Sequence, residues 1–177
     1  MRLLVFSNIY IALGAVLLLQ SSYLLLGEPP RWGALAGLVF SATLVVYNLD
    51  RLVSASREDT VEESERHRWI QAHKPKLWGL VGVAAIGALV SLAFVDWRVW
   101  AALVPLGVLS VAYSLPILFG REGGFRLKEV PGVKIFVIAA VWAGATALLP
   151  SVDAGVDIWS LDVGLLVSER FLYIFAI

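Results

Sequence analysis

The chain has no cysteine and only two histidines among its 177 residues. The lack of cysteine excludes disulfides, thiolate nucleophiles, zinc–thiolate sites and iron–sulfur clusters. His67 and His73 would not share a face of a helix, which argues against a transition-metal site. A bound metal would therefore need carboxylate and amide oxygens, the ligands by which Mg²⁺ is held next to a phosphate.

Charge is also scarce. Charged residues make up 16% of the chain, and 14 Lys and Arg balance 14 Asp and Glu, so the formal net charge is zero. Without a basic surface or a nucleic-acid motif, no nucleic-acid partner is expected. Hydrophobic residues reach 59% and the mean hydropathy is +0.82, whereas soluble domains carry about a quarter charged residues. The composition predicts an integral membrane protein.

Apolar stretches predict about six membrane-spanning helices in a single transmembrane domain, 1–177. The predicted spans are 3–26, 32–47, 77–95, 99–119, 131–149 and a last one from about 158, broken at Ser168–Arg170. A short helix over 61–72 is predicted between the second and third spans, with Thr60 and Glu63 as a capping box. The chain ends inside an apolar stretch, so we expect it to be the N-terminal portion of a longer protein or the product of a truncated reading frame.

The basic residues predict the orientation in the membrane. Ten of the 14 Lys and Arg lie in the segments between spans two and three and between spans four and five. Loops rich in Lys and Arg stay in the cytoplasm. The pattern therefore places the N terminus and both large polar loops in the cytoplasm, most simply at a cell (inner) membrane.

A charged segment begins where the second span ends, at Asn48 and Asp50, and continues to Lys76. Acids and amides at a membrane boundary are costly to desolvate, which favours a functional role. The alternative is a solvated helix end whose charges only fix topology. In the functional interpretation, Asn48 and Asp50 are catalytic and hold Mg²⁺. The residues predicted to bind the diphosphate of a substrate are Arg51, Arg121, Lys128 and Lys134.

Three sequence elements resemble the UbiA superfamily of intramembrane prenyltransferases. They are Tyr47-Asn48-Leu49-Asp50-Arg51, Tyr113-Ser114-Leu115-Pro116 and Val130-Pro131-Gly132-Val133-Lys134 followed by Trp142. The resemblance implies part of an all-α bundle of nine helices. It also implies transfer of a prenyl group from a prenyl diphosphate to an aromatic or other lipid-soluble acceptor, assisted by Mg²⁺, with Tyr113 lining the pocket.

The sequence departs from the family pattern in its first aspartate-rich motif. With Asn48 aligned, Leu49, Leu52 and Ser56 stand where that motif has aspartates. The family's second aspartate motif would follow the sixth span and is absent from this chain. The alternative function is therefore a non-catalytic polytopic membrane protein, either a degenerate family member or a small transporter subunit. For either function, catalytic or non-catalytic, Asn8 is expected to make a buried structural hydrogen bond.

Overall fold

The computed structural model describes residues 2–54, 65–114 and 132–177. Most of these residues are helical, and there is no strand among them. The helices are α1 (Arg2–Phe6), α2 (Ile9–Leu25), α3 (Ala34–Ser54), α4 (Glu65–Ala72), α5 (Lys74–Phe94), α6 (Trp97–Ser114), α7 (Val133–Ala143), α8 (Leu149–Ala154) and α9 (Leu161–Ala176). A single π-helical segment, Gly144–Leu148, joins α7 to α8.

Three helices are long and apolar enough to cross a membrane, namely 34–53, 74–94 and the continuous run 133–154. Two shorter apolar helices, Ile9–Leu25 and 97–110, fall below that length. The expectation of an α-helical membrane protein is confirmed. The expected six spans and nine-helix fold are not, because the described residues supply only these three candidate spans.

Two predicted helices differ from the expectation. The first span is not continuous, because Asn8 has a positive φ of 60° and separates α1 from α2. Asn is one of the few residues that occupies this backbone region readily. The last helix is not broken at Ser168–Arg170, since α9 continues through these residues to Ala176. The buried Arg170 donates hydrogen bonds to Leu18 O and Ser21 Oγ of α2, so its charged group is accommodated without a break in α9.

The chain divides into two compact units, and the first contains Met1–Leu17 and Trp32–Phe94. Its main feature is the packing of α3 against α5, which run antiparallel. A Cβ added at Gly37 would lie 2.8 Å from Ser91 Oγ, and one at Gly87 would lie 2.9 Å from Ser41 Oγ. Small residues thus let the two backbones approach closely, as in other membrane helix pairs.

The second unit contains Leu18–Arg31 and Val95–Ile177. Here α9 packs against α7, and α6 packs against α7 and α8. The π segment lies at a close contact, because a Cβ added at Gly144 would collide with the side chain of Leu106. The carbonyl oxygen of Thr146 has no α-helical donor four residues later, because Pro150 lacks an N–H, and it accepts a 2.6 Å hydrogen bond from Ser22 Oγ.

Large apolar side chains cover much of the outside of these helices. Val83 and Leu89 on α5 are 70% and 67% exposed, and Leu17 on α2 is 62% exposed. An apolar exterior of this kind would be unfavourable in water and is favourable in a lipid bilayer. The surface therefore agrees with the composition in identifying a membrane protein.

Candidate functional site

Asn48 lies in the interior of the first unit, with 1% of its surface exposed. Its side-chain amide donates to the carbonyl oxygens of Ser7 (2.9 Å) and Leu44 (2.8 Å). Its Oδ1 accepts a 3.2 Å hydrogen bond from Nδ2 of Asn8. Asn48 thus uses both of its N–H groups and one side of its oxygen to hold the break between α1 and α2.

The hydrogen bond from Asn8 confirms the structural role predicted for that residue. Asn8 is completely buried, and its positive φ places its side chain against α3. The sequence could not identify Asn48 as its partner, because the two residues are 40 positions apart. The result is a buried amide pair where a catalytic residue was predicted.

Asp50 and Arg51 are exposed, in the last turns of α3. Asp50 follows Asn48 by two residues, which places its Cβ about 200° around the helix from that of Asn48. One residue therefore faces the interior while the other faces outward. The residues present do not fit a magnesium ion held jointly by Asn48 and Asp50.

The described residues contain no group of three or more His, Asp or Glu side chains that could hold a metal ion. Four carboxylates of the charged segment lie outside the described residues, namely Glu58, Asp59, Glu62 and Glu63. Thr60, the predicted cap, lies there as well. Magnesium binding therefore stays a prediction from the sequence, without support from the described carboxylates.

The other predicted substrate-binding residues belong to the second unit or lie outside the described residues. Lys134 is exposed in the first turn of α7. Tyr113 lies in the last turn of α6, where only its backbone is described. Arg121 and Lys128 fall outside the described residues. That these residues lie close to Asp50 therefore stays a prediction.

The end of α3 is supported by an aromatic and aliphatic contact region. Trp69 of α4 lies 5.4 Å from the ring of Phe6 and stacks on His73 at 4.3 Å. Nδ1 of His73 is 2.8 Å from the carbonyl oxygen of Trp69. Next to these rings, Ile70 is packed in a buried cluster with Leu52, Leu77 and Val81. This packing holds the C-terminal turns of α3 in a fixed position relative to α4 and α5.

The second unit contains a buried arginine at the position where the sequence predicted a break in the last span. Arg170 is 3% exposed and donates to Leu18 O at 3.0 Å and to Ser21 Oγ at 3.1 Å. A further hydrogen bond of 3.4 Å reaches Ser22 Oγ, and Glu169 lies 3.6 Å from its Nε. Arg170 therefore connects α9 to α2 within an apolar surrounding, where an ionisable residue is costly unless it has partners.

A second polar cluster lies where the loop after α2 meets α8. Tyr23 donates a 2.6 Å hydrogen bond to Asp153, whose carboxylate also pairs with Arg31 at 3.2 Å. Arg31 makes a second ion pair with Glu28 at 3.0 Å. Partial desolvation lowers the pKa of Arg31, but its hydrogen bonds and charge pairing with these two carboxylates outweigh it, so the pKa is raised. This cluster fixes the position of the loop after α2 relative to α8.

No family model matches this chain, and no curated protein or solved structure is significantly similar to it.

Proposed function

We propose that this chain is a membrane-embedded prenyltransferase-like protein. It would transfer a prenyl group from a prenyl diphosphate to an aromatic or other lipid-soluble acceptor. The single observation that supports this proposal is the end of α3, where a 21-residue apolar helix finishes with exposed Asp50 and Arg51 beside a buried, hydrogen-bonded Asn48. Charged groups fixed at the end of a candidate span are suited to a substrate with a polar diphosphate and an apolar tail.

The reaction requires breakage of the bond between the allylic carbon and the diphosphate oxygen. The electron pair leaves with the diphosphate, the acceptor attacks the allylic cation, and the acceptor loses a proton. Cationic side chains assist by stabilising the charge that develops on the leaving diphosphate. We assign this role to Arg51 and Lys134, which are exposed among the residues that the structure describes. Arg121 and Lys128 are assigned to it from the sequence alone.

The proposal gives Asn48 a different role from that of a metal ligand. Its three hydrogen bonds make it a positioning residue, which fixes the helix that carries Asp50 and Arg51. If magnesium assists the reaction, its carboxylate ligands would come from Asp50 and from the acids of the following segment. The proposal also includes cytoplasmic placement of the N terminus and of both basic loops, at a cell (inner) membrane.

Binding of farnesyl diphosphate to the purified full chain tests the proposal. We expect saturable binding, measured by calorimetry with and without Mg²⁺. Arg51→Gln should weaken it about tenfold, because a charge-assisted hydrogen bond to phosphate contributes about 1.5–3 kcal/mol. Lys76→Gln removes an exposed cation from the start of α5, to which no binding role is assigned, and is the control. No binding by the folded wild-type chain, or an equal loss in both variants, would contradict the proposal.

A second candidate function is that of a non-catalytic polytopic membrane protein, either a degenerate family member or a small transporter subunit. The specific observation that favours it is the use of Asn48 in helix packing, which leaves Asp50 as the one acid of the first motif. Under this alternative the wild-type chain folds but does not bind farnesyl diphosphate. The binding experiment therefore separates the two functions directly.

A further inference from the structure

A groove of about 540 Å³ opens on the second unit, between the start of α6 and the end of α8. Its floor is apolar and is formed by Ala101, Ala102, Leu148 and Val152. The volume is within the range of about 300–1,000 Å³ that is usual for small-molecule sites. Arg51 and Lys134, the two described residues predicted to bind diphosphate, do not line this groove.

The rim of the groove carries one residue of each charge and one aromatic ring. Arg98 and Asp157 both line it, and both side chains are exposed. The guanidinium of Arg98 lies 5.9 Å from the ring centre of Trp97, which is 72% exposed. Asp157 Oδ1 accepts a 3.0 Å hydrogen bond from the backbone N–H of Trp159, which holds the carboxylate in place. Among the described ion pairs, none joins Arg98 to Asp157.

The groove lies at one end of a candidate span. Leu148 and Val152 belong to the last turns of the run 133–154, while Lys134 is at the opposite end of that run. Trp97 and Trp159 are highly exposed beside the groove, and Trp159 reaches 88%. Exposed tryptophans at the end of a span are typical of the boundary between lipid and water. The groove is therefore at the level of lipid headgroups.

We propose that this groove binds the headgroup of a zwitterionic phospholipid. Arg98 would bind the phosphate, and the ammonium group would lie between the carboxylate of Asp157 and the ring of Trp97. The apolar floor would contact the glycerol and the first methylene groups of the chains. Charge complementarity favours this occupant over an anionic lipid, because Asp157 would repel a second negative charge. The proposal is independent of the prenyltransferase-like function.

Native mass spectrometry of the full chain in detergent tests the proposal. The chain is titrated with phosphatidylethanolamine and with phosphatidylglycerol of the same acyl chains. We expect tighter binding of phosphatidylethanolamine by the wild-type chain. Arg98→Gln should weaken binding of both lipids about tenfold, since both carry the phosphate.

Asp157→Asn gives the sharper result because it affects the two lipids in opposite directions. The amide keeps the hydrogen bond to Trp159 but removes the charge, so phosphatidylethanolamine should bind more weakly and phosphatidylglycerol more tightly. Lys76→Gln removes an exposed cation from the start of α5 and should change neither. Equal binding of both lipids by the wild-type chain, or no selective effect of Asp157→Asn while circular dichroism reports a folded protein, would overturn the proposal.

Discussion

Replacement of Asn48 by aspartate separates its role in packing from a role in metal binding. Asn48→Asp keeps the shape of the side chain. It removes the two side-chain N–H groups that donate to Ser7 O and Leu44 O in the wild-type protein. One carboxylate oxygen, in the place of Nδ2, would then face both of these carbonyl oxygens in a site that is 1% exposed. If Asn48 were instead a magnesium ligand, the added charge would strengthen metal binding.

The contacts of Asn48 set the size of the expected effect. Each lost hydrogen bond costs about 1 kcal/mol, and burial of Ser7 O without this donor adds about 1–3 kcal/mol in water-soluble proteins, whereas Leu44 O keeps the helical backbone N–H of Asn48. Hydrogen bonds between membrane helices average about 0.6 kcal/mol, which sets the lower end. The buried carboxylate adds a further penalty or becomes protonated. We therefore expect Asn48→Asp to lower the free energy of unfolding by about 2–5 kcal/mol.

Unfolding of the purified protein in mixed micelles, followed by tryptophan fluorescence and circular dichroism, measures this loss. Asp50→Asn is the matched control, because that side chain is exposed and its replacement should change stability by about 0.5 kcal/mol or less. A double-mutant cycle of Asn48→Ala with Asn8→Ala, which remove the acceptor and the donor of the bond between the two side chains, should give a coupling energy of about 0.5 kcal/mol or more. Wild-type stability of Asn48→Asp together with tighter, Mg²⁺-dependent substrate binding would refute the packing role.

Two further predictions concern helix packing. Gly87→Leu should lower the free energy of unfolding by about 1–3 kcal/mol, because its side chain would collide with Ser41 and separate α3 from α5. Gly82→Leu, on the same helix but facing open space, should be neutral or stabilising in the same unfolding assay, and equal losses in both would contradict the close approach. Arg170→Met should cost about 1–3 kcal/mol by removing the hydrogen bonds to α2. A rise in stability after Arg170→Met would mean that burial of the charge outweighs those bonds.

The class of protein could be predicted from the sequence because it depends on average composition. Apolar runs near α3, α5 and α7 were recognised, since a membrane span requires about 20 apolar residues wherever the helix packs. The interruption at Asn8 was not predicted, although its burial was. A positive φ at one residue depends on the partner that stabilises it, and that partner is distant in the sequence.

The candidate site was less predictable than the fold. Asn48 and Asp50 were grouped because they are close in sequence, but positions two apart on a helix face different sides. The role of Arg170 was missed for the opposite reason, since its acceptors on α2 lie about 150 positions earlier. The local sequence pattern identifies polar residues that are unusual in an apolar helix. Their tertiary contacts determine whether they stabilise the helix bundle or remain open to a ligand.

The π segment Gly144–Leu148 has a wider turn than an α-helix, closed by i→i+5 instead of i→i+4 hydrogen bonds, so it takes up one extra residue within the span. A deletion of one residue there would restore regular α-helix and leave α8 in nearly the same rotational phase. Asp153 would then still face Tyr23 and Arg31, and Val152 would still line the groove. One wider turn in the middle of a span thus lets the helix hold an additional residue while a charged cluster and a binding groove stay aligned at its end.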